Sequence, residues 1–114
     1  MNEEKIVGAA MSIIISAGDA RLYVTEALNA ISAGDFTLAG QKLKMAQEKM
    51  TEAHAVQTEM IQGEARGESI GYSLLFTHAQ DTLMTIGSEL NLGKQLFKLF
   101  EAVDKRLERL EKGE

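Results

Sequence analysis

The chain has 114 residues, 12 Lys+Arg against 17 Asp+Glu for a formal net charge of -5, and neither cysteine nor proline. That length sets one domain, small enough for self-association to add to its stability, and the acidic balance argues against a nucleic-acid binder with a basic surface. Without cysteine there is no disulfide framework, thiolate metal site or cysteine nucleophile.

The N-terminus, Met-Asn-Glu-Glu-Lys, is acidic where a secretory leader carries positive charge. The apolar run over residues 6–17 includes Gly8 and Ser12 and is too short to cross a bilayer as a helix. No later run is read as spanning one, so the expectation is a cytoplasmic protein without direct membrane insertion. Residues that lose little side-chain freedom in a helix are plentiful, and no run of alternating β-branched residues occurs. The fold class is all-α.

The first predicted helix covers residues 3–32, with Ile6, Ala10, Ile13, Ala17, Ala20, Val24, Ala27 and Ile31 on one stripe. It breaks at Ser32-Ala33-Gly34-Asp35, where Gly34 can turn left-handed and Asp35 can cap the next helix. The second covers residues 36–62, and Phe36, Ala39, Leu43, Ala46, Met50, Ala53, Gln57 and Met60 alternate steps of three and four. A second break, residues 62–69, holds two glycines and a candidate cap at Ser69.

The third helix is predicted over residues 70–112, with Gly87 and Gly93 as places where it can bend or divide. It has two seams. One runs Tyr72, Phe76, Ala79, Leu83, Ile86, Leu90, Phe97, Phe100 and Leu107. The other runs Leu92, Leu96, Leu99, Val103 and Leu110, and turns polar towards its N-terminal end as His78, Asp81, Thr85 and Ser88. Two faces are more than two neighbours in a monomeric bundle need, which points to self-association; a thick monomer core is the alternative.

His78 and Asp81 lie three residues apart, hence on one helical face, inside the otherwise apolar LLFTHAQDTLMT. A polar pair there is costly unless something satisfies it. A nearby carboxylate can hold one ring nitrogen protonated and leave the other as a nucleophile or ligand; a satisfied histidine at a helix contact is the plainer reading. If this helix lined a threefold axis, three Asp81 carboxylates would converge and need protons or a hard cation such as magnesium. His54 reads as structural, two histidines alone make no zinc signature, and Gly63, Gly67 and Gly71 form no phosphate-cradling loop. Counted from residue 70, His78 sits about 13 Å along the helix, too far for the helix dipole to act on it.

Residues 73–85, together with Glu52-Ala53-His54, Gln57-Thr58, Ile61-Gln62 and Glu64-Ala65-Arg66-Gly67-Glu68, resemble the lactose/cellobiose-family enzyme IIA components of the bacterial sugar phosphotransferase system. The likeness covers essentially the whole chain. It implies a three-helix antiparallel bundle that assembles as a cytoplasmic homotrimer. It also implies a phosphotransferase component that accepts phosphate on His78 from the histidine-containing phosphocarrier protein. That phosphate would pass to a cysteine of a cognate IIB component for uptake of a β-linked disaccharide: lactose, cellobiose or diacetylchitobiose. Asp81 would match the aspartate that holds one metal ion, Mg2+, at the trimer centre, and Gln80 matches the motif. The family often has a second histidine directly after that aspartate; here the position is Thr82, so no auxiliary imidazole is implied. Two other readings of the residues stay open: a histidine phosphotransfer signalling module, which usually has lysine where Asp81 stands, and a helical trimeric scaffold in which His78 and Asp81 serve packing alone.

Overall fold

The computed structural model describes residues 1–113, and among them there are three helices and no strand. Helix α1 spans Glu3–Ser32, α2 Phe36–Ala65 and α3 Leu74–Glu111. Asn2 caps α1 by accepting a hydrogen bond from the Lys5 amide at 2.8 Å, and Glu3 and Glu4 complement the positive end of the helix. At the other end Gly34, with φ +76°, lets its own amide donate to Ile31 and that of Asp35 donate to Ala30, both at 2.9 Å. These paired bonds close the helix as a Schellman turn. Asp35 then accepts from the Leu38 amide at 3.0 Å and starts α2, so the chain reverses within three residues.

The second break lies further along than the sequence suggested. Helix α2 runs through Gln62 and Gly63 to Ala65, and the same pair of turn bonds forms at Gly67, whose φ is +95°. Gly63 stays helical, and a Cβ there would sit 2.9 Å from Glu68 Oε2 and 3.0 Å from Met1 Cε, so these two side-chain ends would have to shift to make room for it. Helix α3 starts at Leu74 and not at residue 70, because Gly71 adopts φ +70°, which no right-handed helix accommodates. The cap is therefore Ser73, whose hydroxyl accepts from the Phe76 amide at 3.1 Å, and not Ser69. Tyr72, expected on the inner seam, precedes the helix and is 89% exposed.

Helix α3 is continuous from Leu74 to Glu111, so neither Gly87 nor Gly93 divides it. Gly93 is buried at the three-helix junction, where an added Cβ would meet Val24 and Leu43, each at 3.5 Å. Arg21 of α1 forks onto Glu89 of α3 through two hydrogen bonds of 2.9 and 2.8 Å, which hold the guanidinium protonated above the usual arginine value. Phe36 meets Phe97 edge-to-face at 6.1 Å, and Met50 lies against Gly87. These pairings make α2 antiparallel to both neighbours and α1 parallel to α3, in an up-down-up bundle measuring 66 × 20 × 18 Å.

The core is one stripe per helix. Alanines line the α1–α2 contact (Ala10, Ala17, Ala20, Ala27, Ala39, Ala46 and Ala53 are all fully buried) and bring the two backbones close. The bulk comes from Ile13, Met50, Met60, Leu83 and Ile86, each contributing about 1.5–3 kcal/mol by leaving water. Ala30 and not Ile31 ends the α1 stripe, and Gln57 in α2 is half-buried. Contrary to the sequence expectation, α1 as a whole is long and apolar enough to cross a membrane by length and composition. The structure accounts for that apolar content in two halves: the buried stripe, and a second lane on the outside.

Candidate functional site

Helix α3 has its core stripe, Phe76, Ala79, Leu83, Ile86 and Leu90, on one side. At about 100° per residue, Leu74, His78, Asp81, Thr85, Ser88 and Leu92 fall on the opposite side, and all six are exposed. The two residues singled out by the sequence are thus brought onto one outward lane. They are not brought together: no hydrogen bond or ion pair engages either side chain among the described residues. The expected cost of a buried polar pair does not arise in the single chain, because no polar or charged residue is buried among the described residues.

The later start of α3 changes the electrostatics. His78 is the fifth residue of the helix, about 6 Å from its first residue and half the distance expected. Side chains lean towards the N-terminal end of their helix, so the imidazole lies over the turn that begins at Leu74. The Ser73 hydroxyl takes the Phe76 amide and the Ser73 carbonyl takes Thr77, leaving the amides of Leu74 and Leu75 as the free positive end of the dipole. That end favours an anion on His78 by a few tenths of a kcal/mol to about 1 kcal/mol. No lysine or arginine lies between Ser69 and Gly93, so the chain offers a phosphate no cation from this stretch.

Beside the lane, Thr77 and half-buried Gln80 turn towards a recess of about 160 Å³, shared with Ile61, Glu64, Tyr72 and Ser73. Thr82 is half-buried, one residue off the lane. His54 is exposed on α2 and makes no hydrogen bond among the described residues. No three His, Cys, Asp or Glu side chains gather into a metal site within the described residues, so neither a His54–His78 zinc site nor an Asp81 site is complete in one chain.

The structure also presents a surface that the sequence reading missed. Val7, Met11, Ile15 and Leu22 form a second, exposed apolar lane on α1. The cross-helix pairs Arg21–Glu89 and Val24–Gly93 set α1 and α3 about 68 residues out of step. The α1 lane is therefore level with His78, Asp81, Thr85 and Ser88. Its signal was present in the spacing of four, four and seven, but the alanine-rich buried stripe absorbed the helical period.

The pattern of the family described as "PTS system, Lactose/Cellobiose specific IIA subunit" matches residues 8–101. The chain belongs to that family. It is a phosphoryl-relay component of a sugar phosphotransferase system. A lactose-specific EIIA component of Staphylococcus epidermidis is 39% identical over 101 residues, 89% of this chain and 97% of the relative. The lichenan-specific phosphotransferase enzyme IIA component of Bacillus subtilis is 38% identical over 103 residues, 90% and 93% of the two chains. Among solved structures, PtcA from S. mutans superposes with a TM-score of 0.87 at 36% identity, covering 89% of this chain and 99% of its own. The IIA(Chitobiose)–HPr complex of the Escherichia coli N,N'-diacetylchitobiose branch gives 0.76 at 33% identity, covering 91% and 99%.

Proposed function

We propose that His78 is the residue that accepts the phosphoryl group, from an HPr-type phosphocarrier, and passes it to the cysteine of a cognate IIB component. The observation supporting this is an imidazole exposed on the outside of α3, with no hydrogen-bond partner among the described residues to occupy its ring nitrogens. A free ring nitrogen attacks phosphorus in line; the donor's phosphorus–nitrogen bond breaks and its electron pair returns to the donor imidazole. In the second transfer the acceptor thiolate forms the new bond to phosphorus and the His78 bond breaks. The two free amides at the start of α3 lie near the phosphate, but this stretch of α3 lacks a cation to balance spreading charge. Positive groups across the subunit interface or on the docked partner supply that balance, so the site is incomplete in a single chain. The names of the relatives, lactose-, lichenan- and chitobiose-specific, support a β-linked disaccharide as the sugar served, although the carrier itself never touches it.

The outward lane of α3 supports the homotrimer as the working form, with the cytoplasm as its location. Lined up around a threefold axis, the edge of the lane that holds Leu74, Asp81, Leu92 and Leu99 would be covered and three Asp81 carboxylates would meet. His78, about 60° further round the helix, stays at the rim of the interface where a partner can reach it. Three carboxylates are an all-oxygen donor set suited to a hard divalent cation such as Mg2+, which would neutralise their repulsion and hold the register of the helices. Among the described residues of one chain that set is absent, so the fit exists for the assembly alone.

Phosphoenolpyruvate, enzyme I and HPr should together add one acid-labile phosphoryl group to the chain, seen by intact-mass measurement. His78→Gln should abolish the gain while sedimentation shows the assembly unchanged. A wild-type chain that gains no mass from an active donor mixture would rule out the relay role of His78. A His78→Gln chain that no longer assembles would favour the scaffold reading.

A further inference from the structure

We propose that Tyr72 is the anchor on which the phosphorylated donor protein docks: a basic side chain of that protein lies over the exposed ring, between the carboxylates of Glu3 and Glu64. This rests on the relay reading above, and names the contact that brings the donor to His78.

Tyr72 is the most exposed large hydrophobic side chain among the described residues, at 89%, so its ring adds nothing to the chain's own core. Its backbone is nevertheless fixed on both sides. Gly71 before it adopts φ +70°, and Ser73 after it caps α3 by accepting from the Phe76 amide at 3.1 Å. A large ring with two side-chain torsions on a set backbone loses little freedom when a partner covers it, which is why tyrosine is frequent at binding hot spots. The ring borders two recesses at this end of the bundle. One, of about 160 Å³, holds Ile61 and Glu64 of α2; the other, of about 500 Å³, holds Glu3 and Val7 of α1.

The charges around the ring identify its occupant. Neither Glu3 nor Glu64 makes an ion pair or side-chain hydrogen bond among the described residues. Arg66 is already taken by Glu68 at 3.5 Å, and no lysine or arginine lies between Ser69 and Gly93. An open aromatic face beside unpaired carboxylates attracts a cation, through the ring quadrupole and through charge. The chain itself contains the completed arrangement elsewhere: Lys42 lies 5.6 Å from the centroid of the Tyr23 ring and 2.9 Å from Glu26 Oε2. At Tyr72 the ring and the carboxylates are present and the cation is not. A second copy would set its own Glu3 and Glu64 against these, and a phosphate-rich surface would be repelled. A donor with positive groups around its phosphate fits. Leu74 is one turn from His78 and Tyr72 two residues before Leu74, so the two backbones lie within about 13 Å, inside a docking face of about 800 Å².

The test measures the rate of phosphoryl uptake by the full chain against the concentration of phosphorylated HPr. In Tyr72→Ala the concentration giving half the maximal rate should rise about tenfold, the loss of a hot-spot side chain, with the maximal rate within about twofold of the parent's. Tyr72→Phe keeps the ring face and should stay within about twofold of the parent in both quantities. Glu3→Gln/Glu64→Gln should raise the half-saturating concentration and make it less sensitive to salt. Sedimentation of Tyr72→Ala should match the parent's; a changed assembly would give the ring to the subunit interface and overturn the anchor. An uptake-competent parent whose Tyr72→Ala variant keeps the same half-saturating concentration, or whose Tyr72→Phe variant is weakened as far, overturns the anchor and leaves the relay standing. A salt dependence unaltered in the double variant overturns the basic contact. A parent that takes up no phosphoryl group overturns the relay reading, and the anchor with it.

Discussion

An aspartate on the outside of a helix, three residues from a histidine, has two natural partners: that histidine, or its own copies in neighbouring chains. The absence of any bond between His78 and Asp81 in the single chain leaves the second open. Two carboxylates about 4 Å apart repel by about 1 kcal/mol in water-like surroundings and about 4 kcal/mol at an effective dielectric of 20. Three of them on an axis would therefore resist assembly unless neutralised. Asp81→Leu removes both the repulsion and the ligand. Elemental analysis should find the divalent ion lost from the assembled variant, and a chelator that weakens the parent trimer should leave the variant's dissociation midpoint where it was. If metal content and chelator response match the parent's, Asp81 is not an axial ligand. That these two residues share a face was legible from their three-residue spacing. Whether they touch was not, because contact depends on rotamers that spacing does not set.

At the scale of the element, the second turn of the chain shows what sequence punctuation can and cannot reveal. Gly63, Gly67 and Gly71, with Ser69 and Ser73, mark a break between helices but allow several exits and entries. The choice was made by backbone conformation: Gly67 and Gly71 are left-handed, whereas Gly63 stays helical inside α2. Ser73→Ala should accordingly cost about 1 kcal/mol in urea unfolding, the usual loss of a helix cap. Ser69→Ala should stay within about 0.5 kcal/mol. The reverse ranking would place the start of α3 nearer residue 70. The consequence reaches the site, since this cap puts His78 in the second turn of α3 and not the third. The outer lane of α1 was missed for the opposite reason. Its residues were in plain view, but one helical stripe was enough to explain α1 as a core element, so no second was sought.

Across the whole molecule, the two outer lanes are out of step along the bundle. The α1 lane and the polar stretch of α3 share one level, while the leucine-rich stretch of α3 begins just past Leu22, where the α1 lane ends. Chemistry and cohesion are thereby kept at different heights of the same rod. The three-helix plan could be read from two breaks and three periodic segments; the offset could not, because it depends on how far α3 slides against α1. The same architecture has a kinetic consequence. The α1–α2 hairpin closes through a three-residue turn, α3 returns through a short loop, and most cohesive contacts are therefore made early. The chain also lacks proline, which removes the commonest cause of slow isomerisation. Helical signal after dilution from urea should therefore recover in milliseconds or less, at a rate indifferent to protein concentration. Encounter between finished chains should follow as a separate phase that quickens with concentration. Stopped-flow circular dichroism over a tenfold concentration range distinguishes this from a single concentration-dependent phase, in which no rod would exist before it met its companions.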